Sequence, residues 1–133
     1  MKKYLIDTHI FLWLVFDPEK VNTKKLEILK DPQNKIFIAN ISFWEISLKY
    51  NLGKLNLSGL TPDELPKVAQ KMGIDTLEIE KEVMASFYKL PKVQTHKDPF
   101  DRIIIWQCIN DNITLISQDR KFSEYESFGL KTF

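Results

Sequence analysis

The stretch His96 to Cys108, H-K-D-P-F-D-R-I-I-I-W-Q-C, leaves the chain around it few choices. Asp98 before Pro99 predicts a helix start, because an Asp side chain accepts from the free N–H groups at a helix N-cap and proline tolerates the first helical position. The helix then runs from Asp98 to about Asp111. Counted from Asp101, Ile104, Ile105 and Cys108 lie three, four and seven residues on and share its face. A carboxylate therefore tops an apolar stripe that faces a core. Capping and the helix dipole favour acids at such a position whatever they do, so a structural role for Asp98 and Asp101 stands beside a functional one.

Upstream, strands and helices alternate. Tyr4-Leu5-Ile6 is a short apolar run ending at Asp7. His9 to Phe16 predicts a buried helix, capped by Thr8 and stopped by Asp17-Pro18. A second helix opens at Asn22 or Thr23, carries Leu26 and Leu29, and ends at Asp31-Pro32. Lys35 to Ala39 is continuously apolar after its lysine, as a central parallel strand should be. Ser42 to Asn51 predicts a helix whose first turn, Ser42 to Glu45, has capping-box spacing, with Gly53 closing it. Asn56 to Thr61 reads as loop, Thr61 or Pro62 to Met72 as helix, Ile74 to Ile79 as a short strand and Glu80 to Leu90 as helix. Ile113 to Ser117 is a strand. Asp119 to Tyr125 is a turn with one helical turn, and Leu130 to Phe133 a final edge strand. Such alternation produces a mainly parallel sheet with helices on both faces, an α/β fold of three layers. Repeats and linkers are absent, so residues 1–133 read as one domain.

Composition narrows the class. Of 133 residues 44% are apolar and 28% charged, with a net charge of +1, so no general basic field advertises nucleic acid, although a local basic rim would suffice. One cysteine makes neither an internal disulfide nor a zinc cluster, and Cys108 reads as a small core residue. Met1-Lys2-Lys3 followed by apolar residues looks superficially like a signal peptide, but Asp7 and His9 interrupt it. No apolar run reaches membrane-spanning length. The expectation is a cytosolic protein.

Four acids fall at the ends of elements. Asp7 follows the first strand, Glu45 lies in the first turn after the second confident strand, Asp101 opens the organising helix, and Asp119 comes two residues after Ser117. In open α/β sheets the ligand crevice lies outside the carboxyl ends of the strands. Ile41, Leu48 and Leu52 lie at minus four, plus three and plus seven from Glu45, which predicts that it too faces inward. Each acid has a bland reading: Glu45 a cap paired with Lys49 one turn on, Asp7 and Asp119 turn residues. Together they are harder to dismiss. Acids pointing into one place repel and lose hydration unless a cation neutralises them. Hard oxygen ligands without cysteine or paired histidine select Mg²⁺ or Mn²⁺, which activate water and hold phosphoryl oxygens. Other chemistries lack their marks: His9 and His96 have no metal-spaced partner, no nucleophile sits in a motif with its base, and glycine is too scarce for a phosphate-cradling loop. Trp13, Trp44 and Trp106 lie in apolar helical runs and read as core.

In order and spacing, L-I-D-T-H at Leu5 to His9, S-F-W-E-I-S-L-K at Ser42 to Lys49, D-P-F-D-R at Asp98 to Arg102 and L-I-S-Q-D at Leu115 to Asp119 resemble a PIN domain. Among PIN domains the chain resembles the VapC-like toxin nucleases of type II toxin–antitoxin modules. That resemblance implies a small α/β/α sandwich, an Mg²⁺- or Mn²⁺-dependent endoribonuclease using one or two ions, a homodimer, an RNA substrate and an inhibitory antitoxin. It places Asp7, Glu45, Asp101 and Asp119 as the catalytic and metal-holding acids, Glu45 directly or through water. Thr8 and Ser117 match hydroxyl positions near the metal, and Asp98 belongs to a D-P-F-D-R variant. Lys49, Lys54, His96, Lys97, Arg102 and Arg120 fall near the acids in sequence and are candidates for an RNA-binding rim. Two other classes remain open: a phosphoryl-accepting regulator or phosphatase on a similar sheet, although Asp7 has no second acid beside it, and a catalytically silent binding module.

Overall fold

The computed structural model describes residues 2–133; Met1, which the signal-like start and the 1–133 domain assignment include, lies outside them. The chain runs β1 (Lys3–Ile6), α1 (Thr8–Phe16), α2 (Thr23–Lys30), β2 (Lys35–Ala39), α3 (Asn40–Asn51), α4 (Leu65–Lys71), β3 (Ile74–Leu77), α5 (Lys81–Ser86), α6 (Pro99–Asp111) and β4 (Thr114–Ile116), with 3-10 turns at Pro18–Lys20, Pro62–Glu64, Phe87–Lys89 and Arg120–Phe128. The four strands lie in the order β3-β2-β1-β4, and every pair is parallel.

The strands are apolar on both faces because helices cover both. Tyr4 and Ile6 of β1 point to one side with Ile36, Ile38, Ile74 and Ile116, against Ile10 and Phe11 of α1, Ile46 of α3 and Leu65 and Ala69 of α4. Leu5, Ala39 and Leu115 point to the other, against Ile104, Ile105 and Cys108 of α6 and against Phe122 and Tyr125. The result is the α/β/α sandwich expected from the alternation. Fully buried residues such as Ile6 and Ile38 contribute about 1.5–3 kcal/mol each by leaving water.

Several local expectations give way to tertiary context. Asp7, not Thr8, is the N-cap of α1: its Oδ1 accepts from the Ile10 N–H at 2.8 Å, which leaves the Thr8 hydroxyl free to point inward. The Ser42–Glu45 capping box does not form. The helix begins two residues earlier at Asn40, after Ala39, and both side chains sit buried inside it. The stripe expected to carry Glu45 inward is also misassigned: Leu48 and Leu52 are exposed, and Ser42 and Ile46 share the buried face with Glu45 instead. Trp44 is 59% exposed, set edge-on to Phe100, and is not core. The capping box that does exist is at Thr61 and Glu64. The segment after Glu80 is α-helical only to Ser86 and then tightens into the 3-10 turn. The 3-10 turn after Asp119 is longer than one turn, reaching Phe128. Leu130 to Phe133 does not form a full strand; it makes one parallel bridge, Thr132 to Leu115.

β2 and β3 are laid down on one side of β1 and β4 on the other. The strand order therefore switches between β1 and β4, and their carboxyl ends open a crevice.

Candidate functional site

The crevice at that switch is built from two neighbouring strand ends. The backbone N–H of Asp7 donates to the Ile116 carbonyl at 3.2 Å, which locks the end of β1 to the end of β4. Asp7 is buried. Burial pushes its carboxyl up to about 6; the Ser117 hydroxyl, the Ile10 N–H and the charge of His9 pull downward, and Asp101 adds a further push upward. The Ser117 hydroxyl also accepts from the Asp119 N–H at 3.0 Å, so one side chain supports both acids. Asp119 is exposed and caps the following turn through Lys121 N–H. Asp7, His9, Trp13, Gln118 and Asp119 line a cavity of about 210 Å³. Trp13, expected in the core, is half-buried on this wall.

Glu45 and Asp101 stand on the flank of Asp7. Glu45 is 1% exposed. Its Oε1 accepts from the Thr8 hydroxyl at 2.8 Å, and its Oε2 pairs with Lys49 Nζ at 2.5 Å. Ser42, on the same inner face of α3, lies 2.9 Å from the Thr8 hydroxyl. Burial alone would lower the Lys49 ammonium, but the hydrogen bond to Glu45 and the charges of Glu45, Asp98 and Asp101 outweigh it and hold its pKa above the ordinary lysine value. Asp101 is buried on the first turn of α6, and its pKa is raised by burial; His96 pulls it down, and the charges of Asp98 and Glu45 push it up. Asp98 is the N-cap itself, its Oδ1 accepting from the N–H groups of Phe100 at 2.8 Å and Asp101 at 3.2 Å.

The proposed basic rim divides. Lys54, Lys97 and Arg120 are exposed and Lys49 half-buried. His96 and Arg102 leave the rim: both are buried. His96 Nδ1 lies 3.1 Å from the Tyr125 hydroxyl and Nε2 lies 3.1 Å from Asp101 Oδ2. Arg102 donates to the carbonyls of Leu90 and Pro91 and to the Tyr125 hydroxyl. These three interior acceptors and its burial hold the guanidinium inward, away from a solvent-side phosphate. Ser42 and Tyr125 were missed as members of this network. Ser42, three residues before Glu45 on one helical face, carried a readable signal; Tyr125, remote in sequence, carried none.

The donor set is hard oxygen throughout, and the mutual push among Asp7, Glu45, Asp98 and Asp101 is the electrostatics a cation relieves. These residues fit a divalent ion of the Mg²⁺ or Mn²⁺ kind. They do not stand as a finished cage: among the described residues, no three Asp, Glu, His or Cys side chains gather closely enough to hold a metal. Glu45 is turned to Thr8 and Lys49, and Asp101 to His96.

A parallel α/β/α sandwich with buried carboxylates at its switch point defines a class of doubly wound sheet proteins, and sequence comparison identifies the branch. The PIN domain family model matches residues 4–127, so the chain belongs to the PIN domain family. Comparison with curated proteins finds no match. Among solved structures, the chain is similar to one in VapBC2 from Rickettsia felis bound to a DNA fragment from its promoter, with TM-score 0.69, 19% identity and coverage of 98% of this chain and 97% of that one. It is also similar to VapBC-1 from nontypeable Haemophilus influenzae, with TM-score 0.69, 16% identity and coverage of 98% and 96%. DNA-bound VapBC from Salmonella typhimurium gives TM-score 0.67 at 14% identity, covering 100% and 98%. At such identities these likenesses establish the fold.

Proposed function

We propose that this PIN domain is a divalent-metal-dependent endoribonuclease and the toxin of a type II toxin–antitoxin pair. The observation that carries the reading is Asp7: a buried carboxylate with a raised pKa, at the sheet's switch point, sharing Ser117 with Asp119 and within the field of Asp101. Perturbed carboxylates in a crevice are functional candidates. Asp7, Asp101 and Asp119 would hold one or two ions, with Glu45 acting directly or through water. Such an ion supplies Lewis acidity to a water and to the phosphoryl oxygens.

The chain's own residues do the rest. Thr8 and Ser117 fix the orientation of Glu45 and Asp7, so the acids are set before substrate arrives. Phosphodiester hydrolysis through the ribose 2′-hydroxyl requires an acid–base pair, and the two histidines are separated in role: His9 is exposed at the crevice, His96 is turned inward. Water is therefore the attacking group. His9 and Trp13 form an aromatic wall, ring centroids 6.4 Å apart, suited to an unstacked base of single-stranded RNA. Lys54, Lys97 and Arg120 are the exposed cations available to its backbone.

Three of the structural neighbours are from VapBC, and an antitoxin is the partner we assign. A groove of about 560 Å³, lined by Leu14, Pro18, Leu26, Leu29, Ile36 and Ile74 among others, suits a helix or extended segment of it. An antitoxin arginine reaching the acids would substitute for the cation. The exposed stripe of Trp44 and Leu48 on α3, continued by Leu52 at its C-cap, suits a second copy in a homodimer. Among the described residues no helix is long and apolar enough to cross a membrane.

The test is sequencing of RNA ends after brief expression of the wild type beside Asp7→Asn. New ends present only with the wild type establish the reaction and reveal the substrate; identical ends in both leave a silent PIN module as the better reading.

A further inference from the structure

We propose that Lys49 is a resident counter-ion of the acidic crevice and competes with the divalent ion for Glu45. The inference rests on the metal-dependent reading above. It begins with charge balance. Both oxygens of Glu45 are in use, one by the neutral Thr8 hydroxyl and the other by the Lys49 ammonium, and the carboxylate is buried. A buried carboxylate without a cation costs several kcal/mol, so Lys49 is the partner that offsets the burial of Glu45 in the metal-free protein.

This pair is unlike the other lysine–carboxylate pairs of the chain. Lys20–Asp17, Lys35–Asp75 and Lys81–Glu82 join side chains that are all at least 45% exposed, where such pairs contribute little. In Lys49–Glu45 the side-chain exposures are 31% and 1%. Among the described residues, Lys49 is also the only lysine or arginine whose side chain forms an ion pair or hydrogen bond with any of Asp7, Glu45, Asp101 or Asp119. Arg102, the nearest alternative in sequence, is committed to Leu90, Pro91 and Tyr125.

Lys49 stands on the rim of the field it neutralises, at the end of a flexible four-carbon stem, within the influence of Asp98 and Asp101 as well as Glu45. A divalent ion drawn to the same acids meets an ammonium already there. It must either displace Lys49 from Glu45 or bind against its charge; both weaken the ion's hold. Removing Lys49 should therefore strengthen divalent-ion binding, the reverse of what loss of a supporting residue does.

The test uses the full chain and Mn²⁺ alone, with free Mn²⁺ followed by electron paramagnetic resonance and melting followed in EDTA and in Mn²⁺. Lys49→Gln should bind Mn²⁺ about tenfold more tightly than the wild type, the scale of one like charge removed at close range. It should melt lower in EDTA and gain more from Mn²⁺ than the wild type does. Lys49→Arg, which keeps the charge, should bind Mn²⁺ as the wild type does. A Lys49→Gln protein that folds only in Mn²⁺ supports the proposal, because the ion then replaces the missing cation; one that stays unfolded in both buffers overturns it. Equal or weaker Mn²⁺ binding by Lys49→Gln, with the wild type binding normally, overturns the competition and leaves the metal reading standing. Absence of Mn²⁺ binding in all three proteins overturns both.

Discussion

His96 Nε2 and Asp101 Oδ2 face each other across 3.1 Å in the protein interior. The contact ends a chain of polar contacts: Arg102 donates to the Tyr125 hydroxyl, that hydroxyl lies 3.1 Å from His96 Nδ1, and Nε2 on the far side of the ring meets the carboxylate. Asp101 is thus aimed by residues that never reach the crevice. His96→Ala should lower stability by about 1–3 kcal/mol, the cost of stranding buried partners. It should also cut kcat for RNA cleavage at least tenfold with KM little changed, while His96→Gln recovers part of both. Thermal melts and single-turnover cleavage check this; a change in KM alone would restore His96 to RNA binding.

Asp7 sets a pH dependence whose sign is fixed. Its folded pKa of about 6 exceeds the ordinary carboxyl value of 3.8, so the folded state favours the protonated carboxyl. The associated stability is present below the unfolded pKa and is lost as pH rises through about 6, amounting to about 3 kcal/mol. Without metal, Asp7→Asn should be the more stable protein at pH 7.5, and the advantage should vanish near pH 4. Urea unfolding in EDTA at the two pH values measures it. A less stable Asp7→Asn at pH 7.5 would assign Asp7 to capping alone.

Trp13 belongs to the crevice wall. Trp13→Ala should weaken binding of single-stranded RNA about tenfold, within the range for one stacked base. Mn²⁺ affinity should be unchanged. Fluorescence anisotropy in EDTA reads RNA binding without cleavage, and Mn²⁺ titration of the protein with Asp7 intact reads the metal separately; a parallel loss of metal binding would point to collapse of the wall.

Cleavage products should carry a 5′-phosphate and a 3′-hydroxyl, because water attacks. EDTA should abolish the reaction, and Ca²⁺, with its larger and looser shell, should support it poorly. End-group analysis decides: 2′,3′-cyclic phosphate ends formed without metal would require a different mechanism.

The apolar groove and the crevice lie apart, so partner and chemistry should separate. Leu29→Asp places a charge in the groove. It should abolish capture of a co-expressed antitoxin and leave RNA cleavage by the free protein within about twofold of wild type, the expectation for a distant independent site. Equal loss of both activities would mean that the substitution unfolds α2.

What was legible in the sequence was whatever depends on near neighbours along the chain. The alternation of elements, the Asp98-Pro99 helix start and the inward face of Asp101 follow from capping chemistry and a 3.6-residue period, and the structure shows each. Glu45 faces inward as expected, but for another reason. Its burial comes from Thr8 and Ser42, one of them 37 residues away, whereas the leucine stripe thought to carry it inward lies in solvent. His96 and Arg102 read as surface cations because their partners, Tyr125 and the Leu90–Pro91 carbonyls, lie 11 to 29 residues away and become neighbours only on folding. Periodicity reports which face turns inward; it is silent on which polar groups meet there.

Residues 131–133 are woven onto β4, the strand that Ser117 directly follows. Leu115 N–H donates to the Lys131 carbonyl at 2.8 Å, and Phe133 N–H returns a bond to Leu115 at 2.9 Å. Ser117, two residues on, supports both Asp7 and Asp119. A substitution within residues 131–133 that weakens these bonds would tug on the acids without approaching them. Variants altered only at residues 131–133 should therefore differ from the wild type in activity, although the backbone bonds of those residues run to Leu115 and Ser117 and not to the acids.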